Sequence, residues 1–165
     1  MVASELRKRN FALEVKPVGY YFEDYEIGQE FISPGRTITE HDVMTFAGLS
    51  GDYNQLHTNT EFCSRSLFGK PIAHGLLGLS VASGLLSRLG VAEGTTIAFL
   101  GLSWDFTGPI FFGDTVCARA TITEKRKTSK MDRGIVIRQV ELINQRGNVV
   151  QKGEMKTMVK RKAEE

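Results

Sequence analysis

Cysteine is scarce in this 165-residue chain, which has only Cys63 and Cys117. They stand too far apart for a CxxC or zinc-ligand spacing, so a disulfide-stapled scaffold is excluded. Free thiols in a reducing compartment are the expectation, with a single disulfide as the alternative. Proline is rare too, at four residues, and no linker-like stretch or internal repeat divides the chain. Charge of one sign is missing: 21 basic against 19 acidic residues leave a formal +2, too balanced to call for nucleic acid as a partner. The longest apolar run, GLLGLSVASGLL from Gly75, is broken by serines and falls short of the roughly 20 residues of a membrane span. The opening MVASELRKRNFALEVKP lacks the apolar core of a secretory signal. The expectation is a cytoplasmic protein with neither a nucleic-acid nor a membrane partner.

Several chemical signatures are also missing. Three histidines without HExxH give no zinc pattern, and no GxGxxG or Walker sequence supports a nucleotide cofactor. GLSGD, GLSVA and GLSWD each lack the last glycine of a serine-hydrolase elbow. A calcium loop starting at Asp52 fails at Leu56, and again at Cys63, where a bidentate Glu is required. No metal and no cofactor are expected.

What is present suits one domain. An arm at 1–17, one domain at 18–160 and a frayed, solvated tail at 161–165 are the expected divisions. Aromatic and β-branched residues predict a strand near 30–38, and Thr39 is a predicted N-cap for a helix running to about Ala47. GLSGDYNQLH reads as a loop, followed by a short helix from about Asn59 to Phe68. From Ala73 to Gly90 apolar residues cover most of a helical circumference, predicting a helix buried on nearly all sides. Four alternating segments then complete the chain, the last two joined by a turn at NQRGN. The fold class this predicts is α+β, one long buried helix wrapped by an antiparallel sheet.

Within SGDYNQLH, Asp52, Asn54 and His57 gather three polar side chains in a stretch whose glycine and asparagine permit a reversal. One reading is local: Asp52 and Asn54 hold the loop by hydrogen bonds while His57 packs nearby. The other is chemical, because AHGLL puts Gly75 at a helix start, where free N–H groups face outward. A carboxylate, an imidazole and such an N–H suit proton transfer beside a carbonyl that becomes an oxyanion. Close packing alone is the alternative reason for Gly75. His41 and His74 read as packing or surface histidines.

The stretches FAGLSGDYNQLHTNTEF and FGKPIAHGLLGLSVASGLL resemble the MaoC-like dehydratases and R-specific enoyl-CoA hydratases. The family's hallmark is S/G-x-D-x-N-P-[LIV]-H followed by P-[IV]-[AV]-H-G, and the likeness covers about residues 20 to 120. It implies a hot-dog fold, a homodimer or higher homo-oligomer, and an acyl-CoA or acyl-carrier thioester as substrate rather than cofactor. It implies Asp52 and His57 as the catalytic acid/base pair, Asn54 as the loop-positioning amide and the Gly75 N–H as oxyanion donor. Ser83 occupies the place of a family serine with a possible site contact, helix packing being the alternative. Gln55 departs from the family proline. The activity implied is hydration of a 2-enoyl thioester or its reverse; a hot-dog thioesterase and a non-catalytic acyl-binding subunit are the alternatives. Lys125, Arg126, Lys127, Lys130, Arg133, Arg65 and Lys70 are candidates for coenzyme A phosphates. Leu86, Phe106, Phe111 and Phe112 are candidates for the acyl tunnel.

Overall fold

Alternation of apolar and polar residues builds the second half of the chain into one antiparallel sheet. A computed structural model describes residues 19–163; the expected N-terminal arm lies outside them. The strands are β1 (Glu30–Ile32), β2 (Arg36–Thr37), β3 (Thr96–Phe106), β4 (Thr115–Lys127), β5 (Arg133–Asn144) and β6 (Val149–Lys160). Their order is β1-β4-β5-β6-β3, with β2 also pairing to β4, and every pairing is antiparallel. The single strand expected near 30–38 is split in two. Ser33 turns its hydroxyl to accept the Ala118 N–H, and Pro34 has no N–H for the ladder.

The helices are α1 (Glu40–Ser50), α2 (Gln55–Thr58), α3 (Thr60–Ser64) and α4 (Gly75–Ser87). Thr39 caps α1 as expected: its hydroxyl accepts the Asp42 N–H, and Asp42 accepts the Thr39 N–H in return. The helix runs three residues past Ala47, to Ser50, before Gly51 closes it in the left-handed region at φ 77°. Asn59 caps α3, which stops at Ser64, earlier than expected.

α4 lies in the curve of the sheet. Its Leu77, Val81, Ala82, Leu85 and Leu86 meet Val116, Ala118 and Ala120 of β4, Val140 and Leu142 of β5, and Val150 and Met155 of β6. Each large apolar side chain buried this way contributes about 1.5–3 kcal/mol, and the small alanines of β4 let the helix approach. The expectation of burial on nearly all sides fails within one copy of the chain. Leu76, Ser80, Ser83 and Ser87 form an exposed stripe, because the sheet covers one side of the helix only. β3, at the end of the strand order, likewise exposes Phe99, Leu100, Leu102 and Phe106.

The tail also departs from expectation at its first residues. Arg161 donates from Nε to Glu23 (2.9 Å), the Lys162 N–H donates to the same carboxylate (2.9 Å), and the Lys162 ammonium pairs with Asp24. Opposite charges brought together by the sheet hold a segment that looks solvated in one dimension.

Lys162 beside Asp24 lowers that carboxyl's pKa. Burial acts upward on Glu23, but its bonds to the Lys162 N–H and the Arg161 guanidinium outweigh it, and the net direction is down. A depressed folded pKa contributes stability above the unfolded value, about 4, which is lost as pH falls through the folded one. Thermal unfolding midpoints of the chain should therefore fall more steeply below about pH 4 than those of a Glu23→Gln, Asp24→Asn double variant. Parallel curves would show that the clamp contributes nothing.

Candidate active site

The loop from Asp52 to His57 is held by its own polar groups. Ser50 donates to the Phe46 carbonyl at 2.7 Å and accepts the Asp52 N–H. Asp52 Oδ1 accepts the Asn54 N–H at 3.1 Å, and Asn54 Oδ1 accepts the Leu56 N–H at 2.9 Å, capping α2. Gln55 is therefore the first residue of a helix, a position where proline is favoured because its N–H has no helical partner to lose. Its side chain adds a contact proline lacks, accepting from Asn59 Nδ2 at 2.9 Å. Gln55 thus occupies a position that a proline could also take, without interrupting α2.

α2 turns His57 back toward the start of α4. Its Nδ1–H donates to the Ile72 carbonyl at 2.8 Å, which leaves Nε2 with a lone pair in the neutral ring. His74, which precedes α4, is only 3% exposed and donates from Nε2 to the Asp52 carbonyl at 2.8 Å. The two imidazoles lie against each other with centroids 3.7 Å apart and their planes tilted by 32°. His74, read from sequence as a packing residue, is thus the tie between the acidic loop and the helix start. Its Nδ1 has no partner among the described residues.

One donor atom from each of Asp52, His57 and His74 lies within 4.8 Å of the others. The Asp52 side chain is half open, at 52% exposure. Two hydrogen bonds of about 2.8 Å meeting at one water span about 4.5 Å, so a single water fits between the carboxylate and an imidazole.

Beside it opens a cavity of about 490 Å³ whose wall includes His57, Gly75, Leu76, Phe106, Ile110 and Gln151. Asp52 stands at its edge rather than in its wall. The Gly75 N–H is the first of α4 and has no acceptor within the helix. Packing is one reason for glycine here, since a Cβ would sit 2.8 Å from the Phe106 ring. Sequence reasoning missed Gln151, 2% exposed, which accepts from Trp104 Nε1 at 3.0 Å and donates to the Gly75 carbonyl at 3.0 Å. Its signal was a polar side chain at a core-facing position of β6.

Other candidates are dispersed. Ser83 lines separate hollows farther along α4. Arg126 and Arg133 pair with Glu124 and Asp132, and Lys125 stacks on Phe22. Arg65 pairs with Glu61, while Lys70 sits over Phe111 at 4.4 Å, two residues from the cavity-lining Phe68 and Ile72. Phe106 and Leu86 reach cavities, whereas Phe112 packs on the core. Both cysteines are free thiols, and no helix among the described residues is long and apolar enough to cross a membrane.

A Gly78→Ala change would put Cβ 2.2 Å from Gln151 Nε2. It should cost about 1–3 kcal/mol in denaturant unfolding; an unchanged midpoint would mean that Gln151 is not held there.

Known proteins are similar to this chain in sequence and in fold. An (R)-specific enoyl-CoA hydratase of Rhodospirillum rubrum is 39% identical over 105 residues, 63% of this chain and 70% of that protein. Protein MaoC of Klebsiella aerogenes is 38% identical over 120 residues, 72% of this chain, but the match spans only 35% of its length. A solved structure titled monoamine oxidase regulatory protein, from an Archaeoglobus species, superposes with TM-score 0.82 at 36% identity, covering 88% of this chain and 97% of that one. A Mycobacterium tuberculosis protein described as a double hot-dog fold shares the fold at TM-score 0.76 and 21% identity, covering 89% of this chain and 46% of that one. Residues 23–144 match the MaoC like domain, and the chain belongs to that family, with a hot-dog fold.

Proposed function

We propose that this chain adds water across the double bond of a 2-enoyl thioester, and removes it in reverse, with R selectivity at C3. The observation carrying this reading is the gathering of Asp52, His57 and His74, one ligand atom of each within 4.8 Å of the others, beside an apolar cavity and the first N–H of α4, at Gly75, which has no acceptor within the helix. Asp52 takes a proton from the water, His57 Nε2 orients it, and its oxygen bonds to C3. The π electrons shift to the thioester oxygen, where the Gly75 N–H stabilises the enolate. As the enolate collapses, the proton held by the Asp52/His57 pair is delivered to C2. Asn54 and His74 position the loop. Hydratase and dehydratase are one site working in two directions.

The substrate is an acyl-CoA or acyl-carrier thioester. Lys70, two residues from the cavity-lining Phe68 and Ile72, is the cation we assign to a substrate phosphate. The functional unit is a homodimer: the apolar edge of β3 and the exposed stripe of α4 are surfaces that a second copy covers, since an uncovered apolar edge strand invites pairing. Two unpaired thiols suit a cytoplasmic setting.

Incubation with trans-2-hexenoyl-CoA should remove the enoyl ultraviolet absorbance without freeing thiol, and chiral analysis should return the R alcohol. Thiol release would instead mark a thioesterase. Asp52→Asn and His57→Gln should each lower kcat by about 10²- to 10⁴-fold with the fold retained by circular dichroism. Parent-like rates in either variant would remove that residue from the chemistry.

A further inference from the structure

On β5 the residues turned toward α4 include Val140 and Leu142, and Arg138 falls on the same face of the strand. It lies opposite Ile122, where β4 carries an irregularity in register before Glu124. A guanidinium therefore occupies what the alternation reserves for an apolar side chain. Arg138 is only 8% exposed. One hydrogen bond holds it, Nη2 to Thr157 Oγ1 at 2.6 Å, and Nε has no acceptor among the described residues. Among the described residues no carboxylate pairs with it and the Tyr25 phenol is the ionisable group acting on it, while burial pushes its own pKa down. A buried charge left in this state is costly, and replacing such groups with apolar ones is often neutral or stabilising.

The guanidinium lines a cavity of about 160 Å³ together with Ser83, Ser87, Thr96, Met155 and Thr157. A neighbouring hollow of about 360 Å³ shares Ser83 and Met155 with it and adds Leu79 and Ser80. These hollows follow α4 away from the cavity at Gly75 and Leu76. Gly75 and Ser83 are about 12 Å apart along the helix axis. The nearer hollow is lined by Leu79, Phe99, Leu102 and Met155 with Ser80 and Ser83, and hydroxyls and a cation gather at the far end.

We propose that Arg138 receives the distal carboxylate of the acyl chain, so that the preferred substrates are ω-carboxy-2-enoyl thioesters. This rests on the hydratase reading and names the substrate class of that same site. A carboxylate would take donors that the guanidinium leaves unused and supply the missing countercharge. Ser83 and Thr157 add hydroxyls beside it. A methyl-ended chain offers none of these and leaves the cation unpaired.

The test uses the full chain and trans-2-enoyl-CoA esters of six, eight and ten carbons, each ending in methyl or carboxylate. At one length or more the carboxylate ester should exceed its methyl partner in kcat/KM by at least about tenfold. Arg138→Met should reverse that ratio, while hydration of methyl-ended esters persists and the thermal midpoint is equal or higher. Should Arg138→Met not fold, Arg138→Gln carries the same comparison, and Arg138→Lys, which keeps the charge, should retain the carboxylate preference. A preference for methyl at every length, or a ratio unmoved by the substitution, overturns the role of Arg138 and leaves the hydratase reading standing. If neither series is hydrated, both fall.

Discussion

One half-buried hydrogen bond, from His74 Nε2 to the Asp52 carbonyl, governs the site. His74 is the residue before α4, so its backbone begins the helix whose first N–H faces the cavity. Its ring reaches back to the acidic loop and stacks on His57. His74 thus ties the Asp52 end of the loop to the helix start, while the His57 end is held by its own bond to the Ile72 carbonyl and by the Ile72 N–H on the Leu56 carbonyl. Without His74, the Asp52 end would rest on its short-range turns, which set its shape but not its distance from α4.

The sheet supplies rigidity behind this joint. β6 presents Gln151 to the Gly75 carbonyl, while α4 is pressed onto β4, β5 and β6 by a continuous apolar contact. Glycine at 75 and 78 follows from that closeness, since the ring of Phe106 and the amide of Gln151 occupy the space where a Cβ would lie. Catalytic geometry of this kind is demanding, and setting it on a helix start and a strand rather than on loops alone is how a small domain meets the demand.

Much of the fold was legible in one dimension because the signals are local. Thr39 and Asp42 cap their own helix, β4 alternates Val116, Ala118, Ala120 and Ile122 inward, and Gly147 and Asn144 make the turn they suggest. The polar loop was legible too, since Asp52, Asn54 and His57 lie within six residues. Where the reading failed, the cause was long-range. Arg161 and Lys162 look solvated until the sheet brings Glu23 and Asp24 to them. His74 looks like packing until a carbonyl 22 positions away accepts its hydrogen bond.

The amino-acid sequence by itself determined the element types, the α+β class, the acid and imidazole of the loop, and the helix that begins at Gly75. Periodicity, capping and turn chemistry act over a few residues and need no partner. Only the tertiary structure decided which polar residues face inward. Gln151 and Arg138 sit in strands whose alternation is plain, but a strand does not announce which neighbour its faces meet. Register against β4 and β6 turns one toward the helix start and the other toward the far cavity, because pairing across the sheet sets every side chain's direction at once.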